Sequence, residues 1–210
     1  MRKIKTIFRV IVCVILIFIL SSCGSKASDI KTNDGHEAEE PSQSISDDTA
    51  SAEKGTLVVV FSATGNTRAV ADMIADATGA EVYEILAKEP YSEEDLNWHD
   101  KKSRSTIEMN DPDSRPEIGS DKISLDGYST IYIGYPIWWG EEPRIMDTFV
   151  EQYDFTGITM IPFCTSHSSG LGRSGQNLKE KAGTGDWLEG IRFVEHPSEE
   201  EVRNWLDSLG

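Results

Sequence analysis

Apolar residues in this chain fall into short runs separated by longer amphipathic stretches, and that alternation predicts the architecture. Thr56 to Phe61 (TLVVVF) is β-branched and apolar, as expected of a strand covered on both faces. A polar loop, Ser62 to Thr67, follows, and Val70, Met73, Ile74 and Ala77 then repeat at helical spacing up to Gly79, which suits a left-handed helix stop. Glu81 to Leu86 reads as a second strand. Ser92 with Asp95 resembles a capping box, predicting a helix that carries Leu96, Trp98 and Ile107, and Asn110 to Asp121 reads as a loop. Thr130 to Tyr135 is a third strand, and Pro143, at a first helical position, opens a helix with Ile145, Met146, Phe149, Val150 and Tyr153 on one face. Thr159 to Cys164 is a fourth strand despite Pro162, which removes a ladder donor. Leu188 to Phe193 supplies a fifth, and Ser198 with Glu201 caps a last helix carrying Val202, Trp205 and Leu209. Strands alternating with helices imply an α/β domain with a doubly wound parallel sheet.

The first fifty-odd residues break this pattern. Arg2, Lys3, Lys5 and Arg9 precede an apolar run, Val10 to Leu20, far short of the roughly 20 residues that span a bilayer. The run ends in Leu20-Ser21-Ser22-Cys23, which resembles the bacterial lipoprotein signal, in which the cysteine is lipidated and becomes the new N-terminus. Residues 1–22 are therefore expected to be a lipoprotein signal peptide, with Cys23 the lipidated residue. Gly24 to Lys54 has no aromatic residue and only Ile30 and Ile45 as large aliphatics, so residues 23–54 read as lipidated cysteine plus disordered acidic tether. The globular domain is then 55–210. It is expected on the extracytoplasmic face of the cell membrane, lipid-anchored.

Charge and cysteine content narrow the function. The 210 residues carry 36 acidic against 20 basic side chains, a net charge of -16, which disfavours nucleic acid as a partner. Of Cys13, Cys23 and Cys164 only the last lies in the domain, so no internal disulfide is available to it. Cys164, at a strand end, reads as a packed thiol.

Three segments at predicted strand ends carry candidate chemistry. Ser62, Ala63, Thr64, Gly65, Asn66 and Thr67 join a strand to a helix N-terminus, whose free N–H groups and partial positive charge can hold a phosphate without a lysine. The hydroxyls of Ser62, Thr64 and Thr67 add donors. An ordinary capped turn needs one such hydroxyl rather than three. After the third strand come Pro136, Ile137, Trp138, Trp139 and Gly140, where one indole can bury itself while the other stacks on a planar ring. After the fourth come Thr165, Ser166, His167, Ser168, Ser169 and Gly170, with N–H and hydroxyl donors for the polar edge of a heterocycle. A hydrolytic Ser-His pair is disfavoured, because adjacent loop residues do not form a nucleophile with its base.

The motifs FSATGNT (61–67), GYPIWWG (134–140) and FCTS (163–166) together resemble a bacterial flavodoxin-like family. The likeness runs from about Gly55 to the C-terminus and takes in Asp113, Arg115 and Pro116. The chain departs from its relatives at Val60, where tyrosine is common, and at His167 and Ser168, where glycines are common. The resemblance implies a five-stranded parallel sheet in the order 2-1-3-4-5 with helices on both faces, and FMN bound at the three segments. It makes Trp139 the stacking residue and Gly140 a peptide free to reorient beside the flavin. Glu141 and Glu142 would then lower the reduction potential by opposing negative charge on the reduced ring. Such a protein is expected to transfer electrons with a redox partner protein or a small-molecule acceptor. The alternatives are an NAD(P)H-dependent quinone or flavin reductase using the same FMN, and a non-redox flavin-binding lipoprotein.

Overall fold

The computed structural model describes residues 55–210; the expected signal peptide, the expected lipidation site Cys23 and the expected tether lie outside the described residues. The chain runs β1 (Gly55–Phe61), α1 (Asn66–Thr78), β2 (Glu81–Ile85), α2 (Arg104–Asn110), β3 (Tyr128–Pro136), α3 (Arg144–Val150), β4 (Thr159–Thr165), α4 (Ser174–Ala182), β5 (Asp186–Trp187), β6 (Ile191–Phe193) and α5 (Glu199–Asp207). All pairings are parallel in the order β2-β1-β3-β4-β5, with β6 also on β4. This is the expected doubly wound order.

The run of apolar residues in β1 is explained by two cores. Leu57, Val59 and Phe61 join Ile131, Ile133, Ile145, Phe149 and Leu178 on one face. Val58 and Val60 join Val70, Ile74, Phe163, Val202 and Trp205 on the other. Side chains alternate along a strand, so a strand between two helical layers must be apolar at every position. Val60 is fully buried, so its departure from tyrosine falls on the core.

Pro162 explains why the fifth sheet position is occupied by two short strands. Met160 O accepts from Leu188 N, so by the alternation of the ladder the imide nitrogen of Pro162 faces the same way. With no donor there, β4 pairs with β5 at Thr159 and Met160, then with β6 from Phe163 to Thr165. The chain between Trp187 and Ile191 carries one residue more than the chain between Met160 and Phe163. Leu188 to Gly190, expected within a strand, bulges over the proline instead.

The second helix differs most from expectation. Ser92 and Asp95 do bond reciprocally, Ser92 N to Asp95 Oδ2 at 2.9 Å and Asp95 N to Ser92 Oγ at 3.2 Å, but they close a turn. The helix begins only at Arg104, capped by Ser103, so Leu96 and Trp98 are loop residues. Pro143 is the N-cap of α3 rather than its first helical residue. α4 was not anticipated, since Leu178 is its only large apolar residue and leaves no periodicity to read. The capping box of α5 and the left-handed stop at Gly79 are as expected.

Candidate functional site

The carboxyl ends of β1, β3 and β4 converge on a cavity of about 630 Å³. This is the size of a small-ligand site and the place where ligands bind in open α/β sheets. All the anticipated residues line it except Gly65, Gly140 and Gly170, which have no side chain to present.

The first wall is the β1–α1 loop. Gly65 is the N-cap of α1 with φ of 92°, and no side chain caps the helix. By contrast Ser103 and Ser198 cap α2 and α5. The Ser62 hydroxyl accepts from Gly65 N at 3.1 Å, in the loop rather than on the helix. The first-turn N–H groups of α1 are thus left for something in the cavity, as an anion would require. The three hydroxyls are not equivalent. Thr64 is exposed in the cavity, whereas Thr67 is buried and shares a 2.7 Å bond with Thr165 Oγ1. That bond ties the β1 loop to the end of β4. It uses one of the two hydroxyl protons, so the other stays available. No Lys or Arg lines the cavity among the described residues.

The second wall is a tight turn. Trp138 and Glu141 exchange backbone hydrogen bonds at 2.9 and 3.0 Å across Trp139 (φ 50°) and Gly140 (φ 87°). Positive φ at both central residues is the type I′ pattern, which favours glycine at its second position. Trp139 is the only non-glycine residue with positive φ among the described residues, a conformation costing about 1–2 kcal/mol. Such strain collects at functional sites. The turn separates the two indoles. Trp138 packs edge-on against Phe61 at 5.7 Å and Tyr91 at 5.3 Å, while Trp139 is 48% exposed at the cavity.

The third wall is the β4–α4 loop. Ser169 N donates to Ser166 Oγ at 2.9 Å, and Ser166 N to Phe193 O at 3.1 Å. Arg192 of β6 donates to the carbonyls of His167 and Ser169, fixing the loop from behind. The His167 side chain is 87% exposed and reaches Glu195 at 3.8 Å, away from any serine partner. Cys164 is buried and its thiol pKa is pushed up to about 12 by burial, so it stays protonated and inert.

Four lining residues escaped the sequence: Leu96, Trp98, Ser105 and Glu195. Leu96 and Trp98 arrive on the segment between β2 and α2 and Ser105 on the first turn of α2, none of them in a ligand-binding pattern. Arg192 was also missed, since its role depends on carbonyls more than twenty residues away.

Glu142 does not face the cavity. It is fully buried, taking a hydrogen bond from Asn177 Nδ2 at 3.1 Å, beside the buried Asp147. Lys181 Nζ approaches Asp147 Oδ2 at 3.5 Å, Arg144 Nη1 at 3.8 Å and Arg115 Nη1 at 4.0 Å. Glu142 Oε1 and both Asp147 oxygens have no ordinary donor. A proton shared between the two acids would supply one. Burial pushes Glu142 up to about 7 and also raises Asp147, against the attraction of its three cations. The expectation that Glu142 tunes a ring in the cavity is therefore corrected. Glu141 pairs with Arg144 at 2.9 Å and is the one that stays at the surface.

An open parallel sheet with an uncapped helix N-terminus at its switch point and an aromatic turn beside it defines a flavodoxin-like α/β protein. Residues 55–209 match the family model described as Flavodoxin, and the chain belongs to that family. It is similar to a protein assigned as a flavoprotein from Bacteroides uniformis, at 44% identity and a TM-score of 0.70 over 73% of this chain and 97% of that one. A similarly assigned protein from Bacteroides eggerthii is 42% identical, with a TM-score of 0.68 over 73% and 96%. A flavoprotein from Lactobacillus acidophilus, solved in complex with FMN, shares the fold at 24% identity and a TM-score of 0.55 over 73% and 99%. No curated protein matches the chain.

Proposed function

We propose that residues 55–210 bind one FMN and pass electrons to or from a partner protein or small acceptor, held by lipid on Cys23 at the extracytoplasmic face of the membrane. The observation that carries the cofactor is the uncapped N-terminus of α1 opening into a cavity beside Trp139. Its N–H groups and the Thr64 hydroxyl would hold the phosphate, Trp139 would lie on the ring, and the Ser166–Ser169 loop would face the ring's polar edge. Bound FMN supplies reversible uptake and release of electrons; the protein supplies binding, stacking and local charge. The Lactobacillus acidophilus flavoprotein that holds FMN shares this fold, which supports the assignment.

The test is titration of FMN and riboflavin into the full chain and its variants. FMN should bind at least about tenfold more tightly, because a charge-assisted hydrogen bond contributes about 1.5–3 kcal/mol and 1.4 kcal/mol is tenfold. Thr64→Ala should weaken FMN and leave riboflavin unchanged. Thr67→Ala should weaken both, since it unties the β1 loop from β4. Equal wild-type affinities for the two flavins would remove the phosphate site.

A further inference from the structure

The two helices that flank the buried acids are held in place by different means. α3 buries Ile145, Met146, Phe149 and Val150 completely, whereas Leu178 is the only large apolar residue of α4. The other ties of α4 are polar. Asn177 Nδ2 donates to Glu142 Oε2 at 3.1 Å, and Lys181 Nζ lies 3.5 Å from Asp147 Oδ2. At the start of the helix Ser174 Oγ donates to Leu171 O at 2.7 Å, and so accepts from the Tyr135 hydroxyl at 3.0 Å. Leu171 belongs to the β4–α4 loop, whose earlier residues form the third wall of the cavity. Helix and wall are thus joined end to end.

Two of these ties land on groups whose burial is incompletely compensated. Glu142 and Asp147 are fully buried, and Glu142 Oε1, Arg144 Nε and both Asp147 oxygens have no conventional hydrogen-bond partner among the described residues. The charged and titratable groups around Glu142 come from each neighbouring element: Asp147 and Arg144 from α3, Lys181 from α4 and Tyr135 from β3. Further out stand Arg115 with its partner Glu151, and Glu141 paired with Arg144. Burial raises the Tyr135 phenol, which therefore adds no charge. A second negative charge beside Asp147 is out of reach of water while α4 is closed, and moving α4 is the change that gives up least apolar burial. We propose that α4 is a strap over the buried acids, closed while a proton is shared between them and loosened when that proton leaves, and that the β4–α4 loop moves with it. The strap needs no ligand. Its consequence, faster release of a flavin from the cavity as pH rises, rests on the FMN reading above. Burial lifts Glu142 from 4.5 to about 7, and opening returns it toward 4.5. The opening equilibrium is therefore flat below the lower value, grows between the two and levels off above the higher.

The experiment is amide hydrogen exchange of the full chain without flavin at pH 5.5 and pH 7.5, each rate corrected for the intrinsic exchange of an unfolded amide. Amides of α4 should exchange more readily than those of α1 at both pH values, through an opening of their own. Between the two that opening should grow by up to about twentyfold, the ratio implied by carboxyl values of 4.5 and about 7. Glu142→Gln, neutral throughout, should hold α4 constant. An α4 that opens only together with α1, or whose opening rises as steeply in Glu142→Gln as in wild type, would overturn the strap. Should the variant not fold, the wild type still decides: an α4 that opens more often than α1 and increasingly with pH sustains the strap, and one that does not refutes it. FMN release, followed by fluorescence on dilution, should quicken with pH in wild type more than in the variant. Equal pH dependence of release would overturn the link to the cavity. A wild type that binds no FMN would remove that link and the FMN reading together, while the exchange result would still decide the strap.

Discussion

Glu142→Gln isolates the buried acid pair behind the tryptophan turn. Burial lifts the Glu142 carboxyl from 4.5 to about 7, so the folded protein holds this proton more tightly than the unfolded chain does. For a raised acid the sign is that stability is full below the unfolded pKa and falls as pH rises toward the folded one. The loss is complete a little above pH 7. One pKa unit is worth about 1.4 kcal/mol, so the whole loss is about 3 kcal/mol, of which about 2 kcal/mol falls between about pH 5.5 and about pH 8.5. Glutamine is neutral throughout. Its amide can accept from Asn177 and donate to Asp147, where a shared proton would stand. Urea unfolding of both proteins across that range, extrapolated to zero denaturant, gives the difference in stability, from which groups remote from Glu142 and its neighbour Asp147 cancel. The variant should gain about 2 kcal/mol on wild type from the acid to the alkaline end. Parallel profiles would mean that Glu142 is not protonated in the fold, and the shared proton would be refuted.

Other expectations follow from packing, anchoring and the redox reading. A methyl added at Gly134 would collide with the Phe163 ring, so Gly134→Ala should cost about 1–3 kcal/mol in urea unfolding, and adding Phe163→Leu should recover part of it. Cys23→Ala should release the protein from the membrane fraction or leave its precursor unprocessed; unchanged anchoring would defeat the lipoprotein proposal. Anaerobic titration of the FMN-loaded protein with NADPH should leave the flavin oxidised if it is an electron carrier. Rapid bleaching would favour the reductase alternative.

Local chemistry on the page of the sequence determined the β1–α1 loop, the stops and caps at Gly79 and Ser198, and the three segments around the cavity. Each depends on residues within a few positions of one another, so turn, cap and strand-end signals are written contiguously. The same locality explains the failures. Ser92 and Asp95 form the pair that a capping box needs, but whether a helix follows depends on what its residues can bury, and Trp98 finds the cavity rather than a core. α4 left no trace because it needs only Leu178 to hold it down.

What only the tertiary structure decided are relations between distant residues. Glu141 and Glu142 look alike side by side, yet one lies at the surface and the other becomes a buried acid, because Asp147, Asn177 and Lys181 come from α3 and α4 to surround it. Thr64 and Thr67 look like equal phosphate ligands until Thr165, 98 residues beyond Thr67, claims the second. Burial and long-range pairing set the energy of a polar group, and neither is a property of its neighbours in the chain.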